Sequence, residues 1–298
     1  MRRFSAIVRA TALEICSEPL ALLLTMSATA LAFLAPRLHY HQFGDPTRMA
    51  RDAGFSALFT CGSVIAVFCT IRSFRREVET GTMEMALAHP ISRPGFFLAK
   101  TFGAFCAYLV LAAVVLGTTA VMFHGAAVGG EVARRTGDIA RIFWPHLVAA
   151  VSVAAVPLVV GAALNRFARC RFVLSAVLLS FALATSGAAV VFWMAGAFVL
   201  RLLPVAALLV LLSSVLLTAA AALSVRLKAN AAAAGTGVVA LLLVPAVGNY
   251  YLADALSGGG SLPWSYVAWA AAATLPAVVA FLLLGAHLIN GRDIQWTL

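Results

Sequence analysis

Charge is scarce in this sequence. Lys and Arg number 21 and Asp and Glu 11 in 298 residues, together 11%, where soluble domains carry roughly a quarter. Hydrophobic residues make up 63%. A soluble fold of that composition would leave large apolar patches uncovered, so an all-α integral membrane protein is expected. Cysteine is also sparse, five in all: Cys16, Cys61, Cys69, Cys106 and Cys170. None falls in an exterior loop, which argues against a disulfide framework. Motifs of chemistry are missing too. There is no GxxxxGK[ST], GxSxG, HExxH or CxxC, so neither a phosphate-binding loop nor a familiar catalytic constellation is present. No enzyme activity, cofactor or metal is expected of this chain itself.

What is there is a succession of apolar runs. Met1–Pro19 comes first, with Arg2, Arg3 and Arg9 set among Phe4, Ile7, Val8, Ala12 and Ile15 at helical spacing. It predicts an amphipathic interfacial elbow over residues 1–19; Glu14 and Glu18 interrupt it too early for a signal peptide. A transmembrane domain over 20–298 follows. Its predicted spans are Leu20–Pro36, Phe55–Ile71, Thr101–Phe123, Ile142–Leu164, one from Phe172 to before Arg201, Leu203–Val225, Ala231–Tyr250 and Tyr266–Ile289. Polar loops are expected at His39–Gly54 and Gly125–Arg141. The expectation is thus a polytopic bundle of about eight transmembrane helices, or six if the turn at Met194–Pro204 is re-entrant. Gly and Ala in Ala219–Gly237 suit close helix packing in lipid.

Basic residues set the orientation. The formal net charge is +10, but Lys and Arg stand at segment ends and form no stripe, which speaks against nucleic acid as partner. Arg37, Arg48, Arg51, Arg134, Arg135, Arg141 and Arg201 fall on one side and the remaining two-thirds of the 21 on the other. By the positive-inside rule both termini are cytoplasmic. The spans so drawn hold no Asp, Glu, Lys or Arg, and ion-coupled carriers ordinarily need such groups near midplane. His124, His146 and His287 lie near span ends and read as hydrogen-bonded interface residues. Cys61 and Cys69 could share a helix face with access to Cys106, as a soft-metal path would require; small apolar residues in tightly packed helices is the reading taken.

The longest polar interruption is Arg72–Lys100, on the inner side. Thr82 stands as an N-cap, so Met83–Ala88 reads as a short helix. Pro90 stops it by restricting His89. Ser92 caps a second helix with Pro94 in its first turn. Glu77 and Glu79, two residues apart, point to different faces and should be solvated beside Arg75 and Arg76.

Glu79-Thr80-Gly81-Thr82, then Pro90-Ile91-Ser92-Arg93, then Lys100 opening the next span, resemble the signature of ABC-2 class, export-type ABC transporter permeases. That pattern runs approximately E-x-G-T, P-x-S-R, G-K between the second and third helices. Ala99 stands where the family often has Gly, and eight spans exceed the family's usual six. The elbow ending Glu14…Pro19 is similar to the family's opening. Gly44-Asp45-Pro46-Thr47-Arg48 with Asp52, Ala222–Leu227 and Asn290-Gly291-Arg292-Asp293 more loosely resemble one bacterial subgroup.

The resemblance implies a permease subunit in a bacterial cytoplasmic (inner) membrane, paired with a separate ABC ATPase dimer that binds ATP-Mg. The permease itself would act as a homodimer or heterodimer. The loop 72–100 would couple the two proteins. Arg75, Arg76, Glu77 and Glu79 would be contacts, Gly81 and Thr82 the bend and cap, and Pro90, Ser92, Arg93 and Lys100 the second turn and return. An exporter of hydrophobic or lipid-like cargo is the expected function. Two alternatives are a non-transporting assembly protein that binds partners through the same loop, and a secondary carrier.

Overall fold

The computed structural model describes residues 2–38, 46–80, 92–136, 140–196, 200–247 and 263–290. Among them the chain is helical and contains no strand, as lipid requires of an open chain, since only a helix satisfies every backbone group within its own segment. In order the elements are α1 (Arg2–Cys16), α2 (Pro19–Leu38), α3 (Pro46–Val64), a single π-helical turn (Ile65–Cys69), α4 (Thr70–Glu79), α5 (Arg93–Thr136), α6 (Ala140–Ala168), α7 (Phe172–Ala195), α8 (Leu203–Ser224), α9 (Ala229–Val247) and α10 (Trp264–Asn290).

All eight apolar runs are helical over most of their described residues. Among the described residues five helices are long and apolar enough to cross a membrane: Thr47–Glu77, Arg93–Val128, Phe172–Ala195, Leu203–Ser224 and Trp264–Asn290. A sixth arises if Arg3–Cys16 and Pro19–Leu34, bent by 63°, make one broken span, and Ser152–Ala168 and Ala229–Leu242 are shorter apolar helices. The bend sits where the sequence places the elbow. Ser17 Oγ donates to the Glu14 carbonyl, and Pro19 opens α2, a position at which its missing N–H costs nothing.

The helices outrun the apolar segments. α3 starts at Pro46, inside the expected His39–Gly54 loop. α5 runs 44 residues to Thr136, through most of the expected Gly125–Arg141 loop. At about 1.5 Å per residue it is about 66 Å long, roughly twice the hydrocarbon thickness. An apolar run reports bilayer thickness; the helix stops only where capping and backbone restriction stop it. As a result Arg48, Arg51, Asp52, Arg72, Arg75, Arg76, Glu77, Arg93 and Lys100 lie on the same helices as the apolar runs, beyond the ends of the charge-free spans drawn from sequence. Asp52 is held by Arg48 and Arg51.

α5 is the central post, with α1, α2, α3, α6, α7 and α10 packed around it. Small residues permit this closeness, as expected where lipid supplies no hydrophobic drive between helices. A Cβ on Gly117 would lie 2.5 Å from the Ala184 carbonyl oxygen of α7, and one on Gly103 2.6 Å from the Val8 carbonyl oxygen of α1. Buried hydroxyls satisfy themselves locally: Thr25, Thr101, Thr118, Thr119 and Thr236 each donate to the carbonyl four residues back, a common device for mid-helix Thr. Tyr108 of α5 instead reaches Ser213 of α8, hydroxyl to hydroxyl at 2.8 Å. Phe167, Trp193 and Trp269 project outward with most of their surface free, as suits side chains facing lipid or its interface.

Candidate functional site

The polar cluster is built on α4, ten residues of sequence TIRSFRREVE. The π turn directly before it adds a residue within one turn. Such insertions are often found at functional sites, and this one re-aims the faces of α4 relative to α3. Each face of α4 then has its own surroundings.

The first face meets the elbow. Ser73, buried, donates to Glu14 Oε2 at 3.1 Å. Glu18, 8% exposed, receives Arg72 Nε at 3.5 Å and Arg76 Nη1 at 3.9 Å. One nearly buried carboxylate between two guanidiniums thereby ties the 63° bend to α4.

The second face meets α5. Phe74 and Phe97 pack with ring centroids 5.6 Å apart, in a small core completed by Phe96, Ala221, Val225 and Ile289. Phe97 lies so close to α10 that only Gly fits at 285, where a Cβ would fall 2.1 Å from the ring. Beyond the rings Lys100, with no accessible surface, places Nζ 2.6 Å from Glu77 Oε1 and 5.3 Å from the Phe74 centroid. The ring face helps to hold the ammonium. A buried ion pair recovers its desolvation cost only in good geometry, so its main consequence is to fix one relative position of α4 and α5.

The third face is open. Arg75 Nη2 donates to Glu79 Oε1 at 3.1 Å, one turn on, with the Glu79 side chain 64% exposed. Exposed pairs of this kind contribute little to stability. Beside them lies a cavity of about 620 Å³ between α2, α4 and α9.

Across the interval that separates α4 from α5, Ser92 takes up the capping role expected of it. Its Oγ accepts the Gly95 N–H at 3.3 Å and its carbonyl accepts that of Phe96 at 2.9 Å, with Arg93 and Pro94 opening α5. Arg93 Nη1 reaches the Asn290 carbonyl at 3.4 Å, joining the start of α5 to the end of α10.

Seven of the residues singled out in the sequence (Arg75, Arg76, Glu77, Glu79, Ser92, Arg93 and Lys100) are therefore placed at one end of the bundle. One of them needs correction: Glu77 is not a solvated partner of Arg75 and Arg76 but the counter-ion of Lys100, and Lys100, which opens the next span, is fully enclosed. Gly81, Thr82, Pro90 and the expected helix Met83–Ala88 lie outside the described residues. Sequence reasoning missed Glu14 and Glu18 as ligands of α4. Their signal was present: two acids one helical turn apart in a segment otherwise basic. Among the described residues no three His, Cys, Asp or Glu side chains gather as a metal site. Cys61, Cys69 and Cys106 are free thiols, Cys69 buried and the others half-buried.

Comparison with known families adds one result. The model of a family described as ABC-2 family transporter protein matches residues 15–186. That interval runs from the elbow's last turn through most of α7 and contains both sides of the α4–α5 junction. No curated protein and no solved structure matches the chain. The match covers more than half of the sequence, and the chain belongs to the ABC-2 family of transporter proteins.

Proposed function

We propose that this chain is the permease subunit of an ATP-driven exporter, coupled through the segment between α4 and α5 to a separate ATPase. One observation carries the reading: the Glu77–Lys100 pair locks together the two helices that flank that segment. A load applied between Glu79 and Ser92 then moves α4 and α5 as one body. The elbow follows through Glu14 and Glu18, and α10 through Arg93. Interfaces that switch between discrete packings turn such a push into a rocking motion of spans.

On this reading ATP-Mg sits on the partner ATPase dimer, since the chain has no phosphate-binding loop of its own. Arg75, Arg76 and Glu79 present charge of both signs to that partner, which suits a wet and specific interface. Two permease subunits, alike or different, complete the transporter in a bacterial inner membrane. A hydrophobic or lipid-like cargo fits the apolar spans.

The test is co-purification. The tagged chain, gently extracted, should bring an ATPase subunit with it, and Glu79→Arg should lose that subunit while inserting normally. Well-folded protein that never brings an ATPase would overturn the coupling role and favour a membrane assembly protein. Transport that persists with no ATPase present would favour a secondary carrier.

A further inference from the structure

The cavity beside α4 has a graded lining. Phe68, Ile71, Arg72, Arg75, Arg76 and Glu79 all face it, and their spacing of three and four residues puts them on one helix stripe. The stripe changes character within a single turn, from Phe68 and Ile71 to three guanidiniums. Phe68 is 49% exposed at the bundle surface, so the apolar end of the cavity opens towards lipid. The opposite wall is the start of α9, where Ala229 and Asn230 line the space. The first backbone N–H groups of a helix have no partner within it and favour an anion. Among the cavity's lining residues three Arg face one Glu. Glu18, from behind, engages two of those Arg, so positive charge remains in excess.

We propose that this cavity binds an anionic phospholipid. Its phosphate sits between Arg72, Arg75, Arg76 and the N-terminus of α9, and its first acyl carbons run out along Ile71 and Phe68. A cavity of about 620 Å³ is within the range of small-ligand sites, roughly 300–1,000 Å³, and holds a head group and the upper part of its chains. Guanidinium is the natural partner of phosphate, because its donors match the anion's oxygens in pairs. The bound lipid bridges α4 to α9, and so makes the helix that leads to the coupling segment responsive to the acidic lipid around it. This inference does not depend on an ATPase, because the site lies wholly within this chain.

The experiment uses the purified full chain in detergent without any partner. Thermal unfolding and native mass spectrometry are followed as phosphatidylglycerol, phosphatidylcholine or inorganic phosphate is added. Phosphatidylglycerol should raise the unfolding temperature and remain bound as one molecule per chain; the zwitterionic lipid should do neither. Arg75→Gln should weaken phosphatidylglycerol binding about tenfold, the loss expected for one charge-assisted contact. Ala229→Glu keeps the fold independent of that arginine. The position is exposed in the first turn of α9, where an acid favours the helix while repelling the phosphate, so binding should again fall about tenfold. Equal retention of both lipids, or full binding by well-folded Ala229→Glu, would overturn the site. Protection by inorganic phosphate and none by phosphatidylglycerol would assign the pocket to a soluble anion and overturn the lipid.

Discussion

Lys100 Nζ stands 2.6 Å from Glu77 Oε1, and the lysine has no accessible surface at all. The two residues lie on either side of the segment that links α4 to α5. The shared ring of Phe74 and the apolar core behind it exclude water from the ammonium side. An ammonium so enclosed constrains both helices, because any separation leaves it with neither water nor counter-ion.

This asymmetry is measurable. Glu77→Gln should destabilise the chain by about 2–3 kcal/mol, below the roughly 3–5 kcal/mol for breaking a fully buried pair, because the Glu77 side chain keeps 26% of its surface. Lys100→Met combined with Glu77→Leu should recover most of that loss, since an apolar replacement of the whole pair is often neutral or better. Thermal unfolding of the three proteins, wild type included, in detergent makes the comparison. A double variant as unstable as Glu77→Gln would refute the buried-charge account.

Glycine at the α5–α7 contact is there for closeness. Gly117→Ala puts a methyl 2.5 Å from the Ala184 carbonyl oxygen, which forces the helices apart at a cost of about 1–3 kcal/mol. Gly237→Ala in α9 meets nothing within 4 Å and should be neutral or stabilising by up to about 1 kcal/mol, from helix propensity alone. Unfolding midpoints of the two variants should therefore move in different directions or by clearly different amounts. Equal destabilisation would disprove the packing argument.

The elbow is held to α4 by charge rather than by a large apolar contact. Glu18→Gln removes the acceptor shared by Arg72 and Arg76. Both guanidinium side chains are more than 60% exposed, so the cost to stability should stay near ~1 kcal/mol. The local effect should be larger: amide hydrogen exchange in α1 should accelerate while that of α5 stays unchanged. Raising ionic strength should mimic the change in the wild type, because partly exposed pairs are screened by salt. Identical exchange in α1 of variant and wild type would leave the elbow fixed by packing alone.

Much of the architecture could be read from composition and pattern. Runs such as the one that opens at Phe172 and Leu203–Val225 announce their helices, because in lipid a segment must satisfy its own backbone. The break at Ser17–Pro19 and the start at Ser92–Pro94 were equally legible, since capping and proline restriction act over three or four residues. The motif from Glu79 to Lys100 pointed to the family whose model the chain matches. The true ends of α3 and α5 were hidden, because polar residues continue a helix as readily as apolar ones once outside the membrane. The π turn at Ile65–Cys69 had no local signature at all.

The sequence by itself determined that the chain lives in a membrane, that its apolar segments are helices, and where charge interrupts them. Those properties depend on transfer into lipid and on hydrogen bonds within a single helix, both local along the chain. Only the tertiary structure decided which charges meet. Ser73 and Glu14 are 59 positions apart, and Arg93 and Asn290 197. Whether Lys100 faces solvent or Glu77 depends on how closely α1, α4 and α5 approach. That approach is set by Gly103 between α1 and α5 and by the re-aimed face of α4.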